Sequence, residues 1–180
     1  INQHLWSEEK GAYIDSIHRD GKNSSVVSQQ TNSLALLYDV APPDRVKRIQ
    51  NAPVNPPNGM VTVGSPFALF YILESLAKDN RHADAMKIVR DRWGEMIKHG
   101  ATSFWETFPG YDKTWWTRSY CHAWSAAPTY FLSRYQLGAW WSEPGYKTAK
   151  IAPVPLDLTW AKGSVPTPHG PIHVAWEMSK

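Results

Sequence analysis

The sequence predicts a mainly α-helical fold for residues 1–139 and a smaller β module for residues 140–180. In the first part, apolar residues recur at helical spacing, most clearly between residues 65 and 97. After Gly138, prolines become frequent and the segments between them are short, which is typical of strands joined by turns. These observations place the predicted domain boundary near residue 139.

Five helical segments are predicted before the boundary: residues 28–38, residues 44–50, one from Ser65, one from Asn80 to a stop at 98–100, and residues 119–137. Ser28 is a favourable N-cap for the first helix, and Pro42-Pro43 ends that helix and starts the second. Residues 10–17 precede them as a short extended or turn-bounded segment. Three prolines within 51–59 indicate an irregular loop.

The third and fourth helices are amphipathic. Their predicted apolar stripes are Phe67, Phe70, Leu73, Leu76 and Ala77 in the third, and Met86, Val89, Trp93, Met96 and Ile97 in the fourth. Lys98, His99 and Gly100 form a strong C-terminal stop, and residues 101–118 are predicted to be a loop. Pro128 implies a kink or two abutting helices in the last segment, because its ring removes a backbone donor.

Three strands are predicted in the β module, over residues 150–154, 157–160 and 171–177. The last strand shows the clearest pattern, since Ile172, Val174 and Trp176 alternate with more polar positions. An alternation of this kind predicts one face turned toward a core and one turned toward solvent.

The composition is that of a globular domain, or of part of one, with 42% hydrophobic and 19% charged residues in 180. The net charge of +3 is scattered along the chain, which argues against a nucleic-acid partner. No apolar run approaches the roughly 18 residues of a membrane span, so none is expected. The single Cys121 excludes an internal disulfide, and ten Trp are an unusual number whose flat rings suit contact with sugars.

Glu106 is the strongest candidate for chemistry. It lies among aromatic residues in the stretch Gly100-Ala-Thr-Ser-Phe-Trp-Glu-Thr-Phe108, just after the predicted helix stop. A second distinctive stretch, Cys121-His-Ala-Trp-Ser-Ala-Ala-Pro-Thr-Tyr-Phe-Leu-Ser133, follows shortly. A carboxylate beside tryptophans can be both desolvated and close to a sugar, which is the environment of an acid or base in glycoside cleavage.

Taken together, the short motifs resemble the C-terminal half of α-L-rhamnosidases of glycoside hydrolase family 78. The matching motifs are Trp93-Gly-Glu-Met96, Gly100-Ala-Thr102, Phe104-Trp-Glu106, Cys121-His122, Trp124-Ser-Ala126, Pro128-Thr-Tyr-Phe-Leu132, Leu137-Gly138, Pro153 and Trp160-Ala-Lys-Gly163. Looser matches extend back to Trp6. The resemblance implies a partial (α/α) six-hairpin toroid over 1–139, belonging to a catalytic domain, followed over 140–180 by the start of a C-terminal β-sandwich.

The resemblance also implies an inverting hydrolysis of terminal α-L-rhamnosyl residues, with a rhamnose-containing glycoside as the partner and Glu106 as the general base. The family's general acid lies upstream in a motif that this chain lacks, and Arg19-Asp20-Gly21 is the nearest imitation. We therefore expect an N-terminal part of the same polypeptide to be missing from this chain. Neither a cofactor nor a metal is implied, and an extracellular or periplasmic location is favoured.

Substrate-binding roles are implied for His122, which matches a family histidine that bonds the sugar, and for stacking tryptophans. The candidate stacking residues are Trp105, Trp115, Trp116 and Trp124. Core packing is the commoner role for any one of these rings, although the loop position of Trp115 and Trp116 favours function for at least one of them. Arg118 and Asp112 are further candidates for bonding sugar hydroxyls or each other.

Several alternatives stay open or are disfavoured at this point. A non-catalytic carbohydrate-binding or scaffold module would keep the aromatic rings without the acid, and another hydrolase or lyase on helical hairpins is a further possibility. Cys121 beside His122 is better explained as a buried thiol than as a nucleophile, because adjacent helical residues point in different directions. Gly170-Pro171 prevents His169 and His173 from sharing a helical face that could hold a metal.

Overall fold

The computed structural model describes residues 1–108 and 117–179 and divides into two compact units, residues 1–125 and residues 126 onward. Its α-helices are α1 Gln29–Leu37, α2 Pro43–Ile49, α3 Pro66–Lys78, α4 His82–Lys98 and α5 Ala127–Phe131. Its strands are β1 Trp6–Ser7, β2 Ala12–Tyr13, β3 Ala139–Trp141, β4 Ala149–Ile151, β5 Trp160–Val165 and β6 Ile172–Glu177. The prediction of a mainly helical part followed by a β segment is confirmed.

The beginnings of α1 and α2 agree with the sequence prediction. Ser28 caps α1, because its hydroxyl accepts the backbone N–H of Thr31 at 3.2 Å. Pro43 occupies the first turn of α2, where a missing N–H costs nothing. Local chemistry therefore sets where both helices begin.

The first unit encloses its own core between the short β1–β2 hairpin and α1 and α2. Ala12, Tyr13 and Ile14 are buried there with apolar residues of the two helices. Asn32 on α1 is fully buried, and its amide bonds both the backbone N–H and the carbonyl of Tyr13, at 2.9 and 3.1 Å. A buried amide satisfied in this way fixes the strand against the helix.

The predicted apolar stripes of α3 and α4 are partly wrong. In α3 the buried side includes Leu69, Ile72, Leu73 and Leu76, whereas Phe67 is 37% exposed. In α4 the residues Met86, Val89, Trp93 and Met96 are buried as predicted, but Ile97 is 71% exposed. Helical spacing determines which residues are neighbours, while the packing partner determines which of them are covered.

The last predicted helix is also corrected. Residues 119–122 are not helical, and the helical stretch consists of a 3₁₀ turn at Ala123–Ser125, α5, and a π turn at Leu132–Gln136. Pro128, which was predicted to mark a kink or two abutting helices, lies in the first turn of α5, where its missing N–H is tolerated. A π turn accommodates one extra residue in the ladder and lets the chain leave the helix at Leu137.

The second unit is built on two antiparallel hairpins, β3–β4 and β5–β6. The alternation predicted for the last strand is confirmed, since Val174 is buried and Ile172 and Trp176 are partly buried. The strand predicted at 157–160 is wrong, because β5 begins only at Trp160. Of the strand predicted at 150–154, only residues 150 and 151 belong to a strand, β4. The sequence did not predict β3.

Gly138 is required where the chain enters β3. Its φ of +81° is a conformation that side chains disfavour, and an added Cβ would lie 2.2 Å from the backbone nitrogen of Pro153. The carbonyl of Gly138 accepts the backbone N–H of Ala152 at 2.8 Å. The Leu137-Gly138 motif is therefore explained by a close approach of two backbone segments.

Candidate active site

Glu106 lies in the segment that follows the end of α4. The helix stops at His99, and Gly100 follows with a φ of +83° while the N–H of Ala101 donates to the carbonyl of Met96 at 3.0 Å. Glu95 in the last turn receives a hydrogen bond from Lys98 and lies 3.1 Å from the His99 imidazole. The Lys98 hydrogen bond and charge hold the pKa of Glu95 below its usual value.

The structure brings the two distinctive sequence stretches together through their backbones. The N–H of Glu106 donates to the carbonyl of Ser119 at 2.9 Å, and the N–H of His122 donates to the carbonyl of Phe104 at 2.8 Å. The Ser103 hydroxyl also donates to the carbonyl of Tyr120. Residues 103–106 and 119–122 therefore lie side by side, with the predicted base on one segment and the predicted sugar ligand on the other.

The hydroxyl groups of Thr117 and Ser119 add further hydrogen bonds around the paired segments. The buried Thr117 hydroxyl accepts the N–H of Thr107 at 3.2 Å and donates to the carbonyl of Ser119 at 3.0 Å. The Ser119 hydroxyl in turn bonds both the N–H and the carbonyl of Cys121. These bonds hold the backbone in place without a regular sheet, and the bond between Thr107 and Thr117 satisfies a buried N–H.

Trp93 on α4 contacts the residues that follow each of the two segments. Its indole N–H donates to the carbonyl of Ser125 at 2.8 Å, just after the His122 segment. Its ring meets that of Phe108 edge-on at 5.4 Å, just after the Glu106 segment. The sequence placed Trp93 in an apolar stripe and in a family motif, and neither pattern indicated these two contacts.

The candidate site residues differ in exposure. Glu106 and His122 are half-buried, and Trp105 is only 5% exposed, with its ring edge-on to Tyr120 at 5.1 Å. Trp124 is 69% exposed, and Arg118 is exposed. The candidates Trp115, Trp116 and Asp112 lie outside the described residues. Core packing is thus supported for Trp105, while Trp124 has an accessible ring.

An open depression of about 460 Å³ borders the same region. It is lined by His99, Gly100, Thr102, Ser103, Trp105 and Tyr120. Glu106 is not among these lining residues, so the depression does not by itself define the surroundings of the predicted base.

Within residues 1–108 and 117–179, no group of three or more His, Cys, Asp or Glu side chains could hold a metal ion. His169 and His173, considered as a metal pair in the sequence, are both exposed. A search of the same residues finds no helix with the length and hydrophobicity of a membrane span.

Comparison with protein families gives two matches that cover almost the whole chain. The bacterial α-L-rhamnosidase six-hairpin glycosidase domain matches residues 1–135, and the bacterial α-L-rhamnosidase C-terminal domain matches residues 138–180. The chain belongs to the bacterial α-L-rhamnosidase family. The resemblance inferred from the motifs is therefore confirmed. The predicted boundary near residue 139 stays a prediction, since the compact units divide at residue 125 and the family models between 135 and 138.

Individual α-L-rhamnosidases show the same relationship. A GH78 family rhamnosidase of Bacillus sp. GL1 is 44% identical, with a TM-score of 0.94 over 100% of this chain and 20% of its own. A rhamnosidase from Klebsiella oxytoca with rhamnose bound is 26% identical, with a TM-score of 0.57 over 72% of this chain and 25% of its own. An α-L-rhamnosidase of Alteromonas sp. (strain LOR) is 27% identical over an alignment of 173 residues that covers 84% of this chain and 18% of that protein. The chain thus spans about a fifth of the length of the first relatives it matches.

Proposed function

We propose that this chain supplies the general-base side of an inverting α-L-rhamnosidase, with Glu106 as the base. The observation that carries the proposal is the backbone pairing of residues 103–106 with 119–122, which puts Glu106 and His122 on adjacent segments. Membership of the α-L-rhamnosidase family supports the substrate class, a glycoside with a terminal α-L-rhamnosyl residue.

In this mechanism the Glu106 carboxylate accepts a proton from a water molecule as the water attacks the anomeric carbon. The bond to the leaving oxygen breaks on the opposite face of the sugar, and a carboxylic acid protonates that oxygen. The two carboxyl groups of an inverting site lie about 6.5–9.5 Å apart, which leaves room for the water. We assign the acid to a part of the polypeptide outside this chain, because the Arg19-Asp20-Gly21 segment lacks the family's acidic motif.

His122 is assigned a hydrogen bond to a sugar hydroxyl, and Trp124 a stacking contact with the sugar. The half-buried imidazole and the exposed indole support these roles, since a sugar offers hydroxyls at its rim and an apolar face. Trp115 and Trp116 stay proposed stacking residues. Residues 1–139 are proposed to be part of a six-hairpin catalytic domain, and residues 140–180 the start of a β-sandwich.

The stereochemistry of the first product tests the proposal. The complete natural polypeptide should hydrolyse an aryl α-L-rhamnoside and release β-L-rhamnose first, because water enters opposite the leaving group. Proton NMR during the first minutes distinguishes this product from the α-anomer before the two equilibrate. Initial release of the α-anomer would contradict inversion, and sugar binding without turnover would favour the alternative of a non-catalytic carbohydrate-binding module.

The role of His122 is tested by His122→Ala in the complete polypeptide. We expect KM for an aryl α-L-rhamnoside to rise about 5- to 150-fold, since a hydrogen bond of this kind contributes roughly 1–3 kcal/mol. The exposed His18 provides a matched control, and His18→Ala should leave KM unchanged. A fall in thermal stability with unaltered kinetics in the folded fraction would instead assign His122 a structural role.

A further inference from the structure

Two aromatic rings form an exposed pair at the edge of the first unit. Phe67 lies in the first turn of α3, and Trp124 lies in the 3₁₀ turn that follows His122. Their ring centroids are 4.9 Å apart and their planes differ by 32°, so the Phe67 ring packs against the indole in a tilted arrangement. Trp124 nevertheless stays 69% exposed, which leaves much of its ring surface accessible.

Both rings are held by their surroundings. Pro66 starts α3 and restricts the backbone beside Phe67, whose ring also meets Tyr71 edge-on at 6.0 Å. The turn that carries Trp124 is closed by the N–H of Ser125, which donates to the carbonyl of His122 at 3.0 Å. The bond from the Trp93 indole to Ser125 anchors the same turn to α4. A ring fixed in this way loses little conformational entropy when a ligand binds.

The Phe67–Trp124 pair lies next to His122 of the proposed site. The imidazole of His122 lies 6.1 Å from the Trp124 ring, and the backbone N–H of His122 bonds the segment that carries Glu106. An apolar ring beside a hydrogen-bonding imidazole matches a pyranose, whose C–H groups form an apolar face and whose hydroxyls point outward. Tyr120 is a second exposed aromatic residue of this region, but its ring meets that of Trp105 edge-on at 5.1 Å.

We propose that Phe67 is a positioning residue for sugar binding, which packs against one side of Trp124 so that the free side of the indole stacks on the rhamnosyl ring bound beside His122. This inference rests on the proposed function for the identity of the sugar. It adds a residue of α3 to a site whose other described residues lie in the segments 103–106 and 119–124. It also gives a reason for the exposure of Phe67, which the apolar stripe of α3 does not explain.

Binding of L-rhamnose to the complete polypeptide, measured by calorimetry, tests the inference without any need for turnover. Phe67→Ala should weaken binding about three- to tenfold, which corresponds to the loss of one aromatic pair contact, and should leave kcat within about twofold. Trp124→Ala should weaken binding more strongly. In the Trp124→Ala background, Phe67→Ala should have little further effect, because Phe67 acts through Trp124. Phe67→Tyr keeps the ring and should restore binding.

The control is Tyr38→Ala, which removes a 63% exposed aromatic ring from the end of α1 and should leave L-rhamnose binding unchanged. If the losses of binding free energy caused by Phe67→Ala and Trp124→Ala simply add in the double variant, Phe67 does not act through Trp124 and the inference is overturned. Reduced thermal stability with unchanged L-rhamnose affinity would show that another part of the protein covers the pair, and would also overturn the inference. If the unmodified polypeptide does not bind L-rhamnose, the inference is likewise overturned. If the coupled loss of binding is found without hydrolysis, the proposed function fails while the inference stands.

Discussion

In the complete natural polypeptide, Glu106→Gln is expected to lower kcat for an aryl α-L-rhamnoside by about 10²–10⁴-fold while L-rhamnose binding stays nearly unchanged. The amide keeps the shape of the side chain and its half-buried position but cannot accept a proton from water. Initial rates and calorimetric binding measured on the same preparation separate the two effects. The hydrogen bond from the backbone N–H of Glu106 to the carbonyl of Ser119 does not involve the carboxylate, so the fold should survive the substitution.

The matched control is Glu9→Gln, which removes an exposed carboxylate of the first unit and should leave both quantities unchanged. External azide provides an independent check, because in a Glu106→Gly variant it can attack the anomeric carbon without help from a base. Partial recovery of turnover with azide would support the assignment. Loss of binding with an unchanged kcat would assign Glu106 to recognition instead of proton transfer.

Residues 1–180 expressed alone are expected to show no rhamnosidase activity. The described residues of the range 1–135 contain five α-helices, whereas a complete six-hairpin domain of the matching kind would use twelve. Without its general acid the site would also lose about 10²–10⁴-fold in rate. Exposed apolar residues such as Ile97 and Trp124 should then favour association of the isolated chain.

An assay with an aryl α-L-rhamnoside, together with size-exclusion chromatography, checks this expectation. The complete polypeptide under the same conditions is the control for substrate and buffer. A stable monomer of residues 1–180 with activity close to that of the complete polypeptide would refute both the need for an external acid and the need for further helices.

The elements that the sequence predicted well are those whose ends depend on local chemistry. The Ser28 cap, the Pro42-Pro43 break and the stop at residues 98–100 each satisfy or remove backbone hydrogen bonds within a few positions. The prediction failed at residues 119–122, where the backbone bonds residues 104–106 instead of continuing a helix. Such a bond leaves no local pattern in the sequence.

By itself, the sequence determined the order of the helical and β parts, the family, and Glu106 and His122 as candidate site residues. The tertiary structure alone decided that their segments pair, that Trp93 holds both of them, and that Trp105 is buried while Trp124 is exposed. The physical reason is the range of the interactions. Helix caps and apolar periodicity act over one or two turns, whereas the burial and pairing of a side chain depend on segments far away in the sequence.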